Sequence, residues 1–261
     1  MANNFENNQF DFQFLVKQSN INLLEYPDWI NIATSELVTT LNQELFPCVF
    51  ARRANNLENL LFAFIETDIC TEYTSNYDLE SLLNTLLEYT RFCKEIIAKD
   101  RLYFPLILIF NFQLDTLEAS QNKAWEILKQ IFQFNQDNFN DEDVLNPNQA
   151  GWKFRFNGVN LFFNINHPQH ILHKSRNVNS YLTMVVNPSE NFLIVAPVVN
   201  GERKISNLIR DRVKQYNNGI IADTLSINDD TKPDWKQYQH EEGNVKLPLI
   251  CPFSNMEKSK C

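Results

Sequence analysis

The chain predicts an α+β fold in a single domain, with a mixed or antiparallel sheet flanked by helices. Three observations carry this expectation. Two short runs, Leu60 to Ile65 and Leu102 to Phe110, are almost wholly apolar; segments of helical period separate the apolar runs; and Asn157-Gly158 sits between two aromatic-rich runs. Apolar runs of strand length read as strands buried on both faces, and Asn-Gly between such runs is the strongest short-range hairpin signal. No regular βαβ repeat is visible, so the sheet is not expected to be purely parallel.

Each element follows from its pattern. From Asp28, the residues Ile30, Ala33, Leu37 and Leu41 fall at helical spacing, and this helix ends before Pro47. Asp78 opens a second helix with Leu79, Leu82, Leu83, Leu86 and Ile97 on its apolar face. Asp115 with Glu118 resembles a capping box and starts a third helix through Trp125, Leu128 and Phe132. Residues 135 to 151 are polar and Asn-rich and read as a loop. The hairpin joins Trp152–Phe156 to Val159–Ile165, Tyr181 to Val186 is a further strand, and Ile205 to Tyr216 a last helix. We divide the chain into an N-terminal extension, 1–25, and one domain, 26–261.

With 44% hydrophobic residues in 261, the chain can build a continuous core. A net charge of -9 argues against a nucleic-acid partner, which would need a clustered basic surface. Residues 1 to 14 have neither the basic nor the apolar region of a signal peptide, and no stretch is long enough to span a membrane, so a cytoplasmic location without membrane attachment is expected. Five cysteines, Cys48, Cys70, Cys93, Cys251 and Cys261, show no CxxC or CxxCH spacing and read as reduced thiols. GxGxxG, Walker, GxSxG and HExxH motifs are all missing from the sequence, which removes the common nucleotide, serine-hydrolase and zincin chemistries.

The histidines carry more information. Of only 4, three lie in His167-Pro-Gln-His170-Ile-Leu-His173-Lys174-Ser-Arg176. A helical turn after Pro168 would put His170 and His173 on one face. Three readings stand side by side. The segment is a surface loop; or it is a haem site with one histidine on the iron and Lys174 and Arg176 near the propionates; or His170 and His173 bind a non-haem metal with Glu66 or Asp68. Two further clusters, Phe46-Pro-Cys48-Val-Phe50-Ala-Arg52-Arg53 and Asp234-Trp235-Lys236-Gln237-Tyr238 followed by Cys251-Pro-Phe253, read as a helix-to-strand turn with a buried thiol and as a packed aromatic segment. A thiolate haem ligand at Cys48 would require an electropositive, protected setting.

Taken in order, Phe46-Pro-Cys48, Phe62-Ala-Phe64-Ile-Glu66, Trp152-Lys-Phe154-Arg-Phe156-Asn-Gly158, Pro168-Gln-His170-Ile-Leu-His173-Lys-Ser175-Arg176, Ile209-Arg210-Asp-Arg212, Trp235-Lys-Gln-Tyr238 and Cys251-Pro-Phe253 resemble the YqcI/YcgG family. The resemblance runs from about Trp29 to Phe253. It implies a haem b that activates O2 to hydroxylate nitrogen, in the better known cases on a guanidine. It places the iron ligand at His170, with His167 as runner-up, and cofactor contacts at Arg176, Arg210, Arg212, His173 and Lys174. The family pattern usually shows Arg at the place of His173, and relatives tend to carry Arg where this chain has Ser189.

The expected substrate is a small amine or guanidine, with Glu66 and Cys48 as candidate substrate contacts. Without a flavin or nicotinamide motif, electrons must come from an external reductase or ferredoxin. An aromatic-rich chain of this kind is also compatible with a homodimer. Two other functions fit the same residues: a haem-binding or haem-sensing protein without turnover, and a non-haem iron oxygenase.

Overall fold

The computed structural model describes residues 10–21, 26–68, 76–139, 146–200, 202–225 and 231–254. In chain order the elements are β1 (Val16–Lys17), α1 (Asp28–Asn42), α2 (Val49–Asn56), β2 (Leu61–Ile65), β3 (Thr67–Asp68), β4 (Asn76–Tyr77), α3 (Leu79–Glu95), α4 (Ala98–Arg101), β5 (Leu106–Phe110), α5 (Leu117–Asn138), β6 (Phe154–Phe156), β7 (Val159–Asn166), β8 (Leu182–Pro188), α6 (Ser189–Val195) and α7 (Lys204–Tyr216). Six strands form one mixed sheet in the order β1-β2-β5-β8-β7-β6, and β3 pairs with β4 separately. Only β2 and β5 are parallel within the large sheet; the helical connection through α3 and α4 supplies the crossover that parallel pairing needs.

The apolar runs become the two central parallel strands because both their faces are covered. All five residues of β5 are buried. On one face Leu61, Leu108 and Phe110 pack with Leu82, Leu86, Leu128 and Ile131 of α3 and α5. On the other, Phe62, Ile107 and Ile109 pack with Ala33, Leu37 and Leu41 of α1. Strand β7 alternates instead: Leu161, Phe163 and Ile165 enter the first core, which leaves Asn160, Phe162, Asn164 and Asn166 on the second face.

The hairpin forms as expected. Asn157 and Gly158 take φ of 46° and 76°, the left-handed pair that a two-residue turn between twisted strands requires. The segment ending in Phe253 is packing, as its aromatic character suggests. Its ring lies 5.4 Å from Trp152, 5.1 Å from Phe132 and 5.5 Å from Phe154.

Several boundaries differ from the sequence pattern, each for a physical reason. The turn expected around Cys48 is followed by α2, a helix of eight residues that buries only Ala54 and Asn55 and so leaves little periodic signal. Strand β5 begins at Leu106 rather than Leu102, since α4 occupies the preceding stretch. Ile97 lies beyond α3 and is 65% exposed rather than on its apolar face. Helix α5 is capped by Thr116, whose hydroxyl accepts from Ala119 N, and runs to Asn138 into the expected loop. Helix α6, directly after Pro188, was not legible. Within the expected N-terminal extension, Val16 and Lys17 pair with Phe62 and Leu61 and form the edge strand. Cys70 and Cys261 lie outside the described residues; Cys48, Cys93 and Cys251 are free thiols. No helix among the described residues is long and apolar enough to cross a membrane.

Candidate functional site

All four histidines of the chain converge. The rings of His167, His170, His173 and His240 form a chain of edge-to-face contacts with centroids 5.6, 5.8 and 5.1 Å apart, and each residue is at most 5% exposed. The segment after β7 is not helical until a short 3-10 turn at Lys174–Arg176, so His170 and His173 are neighbours through loop packing rather than a helix face. The surface-loop reading therefore fails for these side chains, although Ile171 and Leu172 between them are exposed.

Glu242 organises the loop. Its Oε1 accepts the N–H groups of Ile171 and Leu172 at 2.8 and 2.9 Å, and its Oε2 accepts that of His173 at 3.1 Å and His170 Nδ1 at 2.8 Å. Burial would raise this carboxyl, but these donors outweigh it and hold its pKa below the usual range. A carboxylate acceptor fixes the tautomer of His170: the proton sits on Nδ1, and Nε2 carries a buried lone pair with no partner. His167 is fully satisfied, accepting from the Ser120 hydroxyl at 2.7 Å on Nδ1 and donating from Nε2 to Gln239 Oε1 at 2.6 Å. Arg176 can only donate, so His240 Nε2, 3.1 Å from its Nη2, is the acceptor and His240 carries its proton on Nδ1.

Burial disfavours the imidazolium throughout. It lowers His167 to about 3, with His170 adding to the effect, and lowers His170 to about 4 against the opposing pull of Glu242. His173 is also lowered by burial, and His240 falls well below the ordinary range through burial and then the charge of Arg176. At neutral pH the cluster is therefore a set of neutral imidazoles. Among the described residues no group of three or more His, Cys, Asp or Glu is arranged to hold a metal ion. The expected companion Glu66 is exposed at the end of β2 and stands apart from the cluster, and the side chain of Asp68 lies outside the described residues.

Beside this cluster, a cavity of about 600 Å³ opens on the second face of the sheet. That volume lies within the ~300–1,000 Å³ usual for ligand and cofactor sites. Its floor is Asn160, Phe162, Asn164 and Asn166 of β7 with Val185 and Asn187 of β8; α1, α2, α6 and α7 form the walls. From Asn160 to Asn166 the floor extends about 20 Å at strand rise.

At the β7 C-terminal end the wall holds Cys48, Arg176 and His240. Cys48 caps α2, its sulfur accepting from Ala51 N at 3.4 Å. Burial pushes the thiol up, while the N–H groups of Ala51 and Phe50 and the charge of Arg176 pull it back. Arg176 is buried and spends its donors on the carbonyls of Ile165, Tyr238 and Gln237 and on His240. Burial lowers its own pKa to about 10, and among the described residues no carboxylate pairs with it. A buried cation without a counter-charge favours an anion beside it, and Cys48 is the ionisable group there.

The expected site residues separate into distinct roles. His170, His167 and His173 are drawn together but do not line the cavity; Arg176 and Cys48 do. Arg212 is half-buried and binds the carbonyls of Pro47, Glu44 and Phe46 at 3.3, 3.1 and 3.0 Å, so it braces the chain leading to Cys48. Lys174 is exposed and Arg210 half-buried, and neither reaches the wall; Glu66 does not either, and the carboxylates that do are Glu190 and Asp234. Ser120, Gln239, His240 and Glu242 were not foreseen. The one available signal was arithmetic, since the only other histidine of the chain follows the aromatic segment at Trp235–Tyr238.

A model of the YqcI/YcgG family matches residues 37–254. A Streptomyces lavendulae protein named "Putative N(omega)-hydroxy-L-arginine synthase DcsA" is 25% identical over 229 residues, covering 87% of this chain and 84% of that protein. The Bacillus subtilis (strain 168) protein YcgG, named as uncharacterized, is 25% identical over 241 residues, 89% of this chain and 91% of its own length. YqcI of the same strain, also named as uncharacterized, is 26% identical over 220 residues, covering 81% of this chain and 82% of its own. No solved structure matches.

Proposed function

The chain belongs to the YqcI/YcgG family, and from that premise we propose that it N-hydroxylates a small guanidine- or amine-bearing substrate, using a haem b held in the large cavity with the Cys48 thiolate as iron ligand. The observation that carries this reading is the position of Cys48 in the cavity wall beside the uncompensated charge of Arg176. The name carried by the S. lavendulae relative supplies the direction of the chemistry, N-hydroxylation of an arginine-like molecule.

The residues present suit such a group. The cavity is roomy, and its apolar lining of Leu37, Leu41, Phe46, Ile107 and Phe162 suits a flat macrocycle. When bound, a haem would supply the activation of O2, placing one oxygen atom on nitrogen and releasing the other as water at the expense of two electrons and two protons. The protein provides the rest. Burial raises the Cys48 pKa, the Ala51 N–H and the charge of Arg176 only partly offset it, and a bound metal ion would be what favours the thiolate. Arg212 fixes the approach of that loop. Asp234 is the buried carboxylate of the wall able to meet a guanidinium. Electrons arrive from an external reductase or ferredoxin.

A second reading puts the iron on His170, whose Nε2 is buried, unpartnered and in the neutral tautomer enforced by Glu242. The absorption spectrum of the reduced, CO-treated protein separates the two. Thiolate ligation gives the strongly red-shifted Soret band that imidazole ligation lacks. A red-shifted band lost in Cys48→Ser and kept in His170→Ala supports the thiolate, an unshifted Soret band kept in Cys48→Ser and lost in His170→Ala supports the imidazole, and a protein that takes up no haem refutes both.

A further inference from the structure

At the end of the cavity away from Cys48, two buried polar atoms have no partner. Ser189 Oγ and Asn191 Nδ2 are shielded from solvent, both residues line the cavity, and they are 9% and 4% exposed. Leaving such atoms unbonded costs free energy, which a ligand in the cavity would recover. The orientation of Asn191 is fixed: Arg101, which can only donate, gives its Nη1 hydrogen to Asn191 Oδ1 at 2.7 Å. The amide therefore presents N–H, a donor, as its open group. Ser189 adds a hydroxyl that can donate alongside it.

Cations stand close to this end: Lys94, whose amino group donates to Asn157 Oδ1, lines the cavity beside Gly158, and Arg101 donates to both Asn191 and Glu190. Strand register sets the spacing. Ser189 follows Pro188, which pairs with Leu161, whereas Asp234 N bonds the carbonyl of Trp152, two residues before Phe154 in the strand whose Phe154 also pairs with Leu161. The two points differ by about three residues, or about 10 Å along β7.

We infer that Ser189 and Asn191 form a subsite for the carboxylate of a cavity ligand, with the cationic nitrogen of an amino-acid-like substrate reaching toward Asp234. This deepens the proposed function and depends on it only for the guanidine or amine end of the molecule. Carboxylate chemistry at this subsite has two sources, the substrate or a haem propionate, and one experiment distinguishes them.

The purified full chain, haem-free and haem-loaded, is titrated calorimetrically with L-arginine and with agmatine, which lacks the carboxylate; the haem-free chain is also titrated with haem. Ser189→Ala removes a hydroxyl that has no partner, so it should keep the wild-type melting temperature. It is expected to weaken L-arginine about fivefold and leave agmatine unchanged, the loss of about one hydrogen bond. Asn191→Leu should weaken it at least as much. Should Asn191→Leu fail to fold, Ser189→Asp decides, its carboxylate being expected to weaken L-arginine more than Ser189→Ala does. If the loss falls on haem affinity instead, the carboxylate is a propionate and the subsite stands. With haem affinity unchanged in the variants, equal weakening of L-arginine and agmatine, or no preference of the wild-type chain for L-arginine over agmatine, overturns the inference, as does no change in any titration with folded variants. A chain that binds no haem yet distinguishes L-arginine from agmatine through Ser189 refutes the haem reading and keeps the subsite.

Discussion

Glu242 Oε2 lies 2.8 Å from Nδ1 of His170, across 72 residues of sequence, and the same carboxylate collects three backbone N–H groups of the histidine loop. One side chain thus fixes both the path of the loop and the protonation of the ring. Replacing it removes a charge-assisted acceptor from four donors at once. We expect Glu242→Ala to cost about 2–3 kcal/mol, read as a lower urea midpoint with an unchanged slope.

Neutral histidines make stability depend on pH. In the unfolded chain each imidazole takes a proton near its ordinary value of 6.5, whereas in the fold His167 and His170 resist until about 3 and about 4. Below pH 6.5 the unfolded state therefore binds more protons, and stability falls as pH falls. The loss should accumulate from about pH 6.5 toward pH 4, at about 1.4 kcal/mol per pH unit for each such histidine. Glu242, held below its usual range, adds loss of the same sign at the acid end. Urea midpoints across this interval check the slope; a flat profile between neutral pH and about pH 5 would contradict the buried neutral cluster.

Arg212 binds the carbonyls of Glu44, Phe46 and Pro47 with one planar guanidinium. Lysine cannot reproduce that fork. Arg212→Lys is expected to destabilise the chain by about 1–2 kcal/mol and, under the function proposed above, to lower haem content after purification, because the loop that holds Cys48 loses its brace. Cofactor content per chain and the urea midpoint are the two measurements, and both should fall together.

Gly158 sits at φ 76°, and a methyl group added there would meet only Lys94, at 3.7 Å. The cost of Gly158→Ala is therefore conformational rather than steric, about 1–2 kcal/mol for an L-residue in the left-handed region. Thermal denaturation measures it; a loss much larger than this would point to a packing defect that the turn does not have.

Much of the fold was legible because its signals are local. The apolar runs at β2 and β5, the Asn157-Gly158 turn and the spacing of Ile30, Ala33, Leu37 and Leu41 each act through their own few residues, and each element forms within its pattern, β5 only over the later part of its run. Helices α2 and α6 escaped notice because they are short, eight and seven residues, and bury two side chains each. At the site, the sequence could place three histidines in one segment, but nothing local could say that His240 and Glu242 would join them.

Composition and order alone, then, determined an α+β domain, its hairpin, its central strands and its family resemblance, since those depend on propensity and periodicity over short windows. Tertiary structure decided which polar groups are buried together. Glu242 takes the tautomer choice away from His170, Arg176 turns inward to carbonyls and His240, and Cys48 lines the large cavity while His170 does not. These outcomes depend on contacts between segments separated by tens of residues, where desolvation and hydrogen-bond geometry act, and no pattern along the chain encodes them.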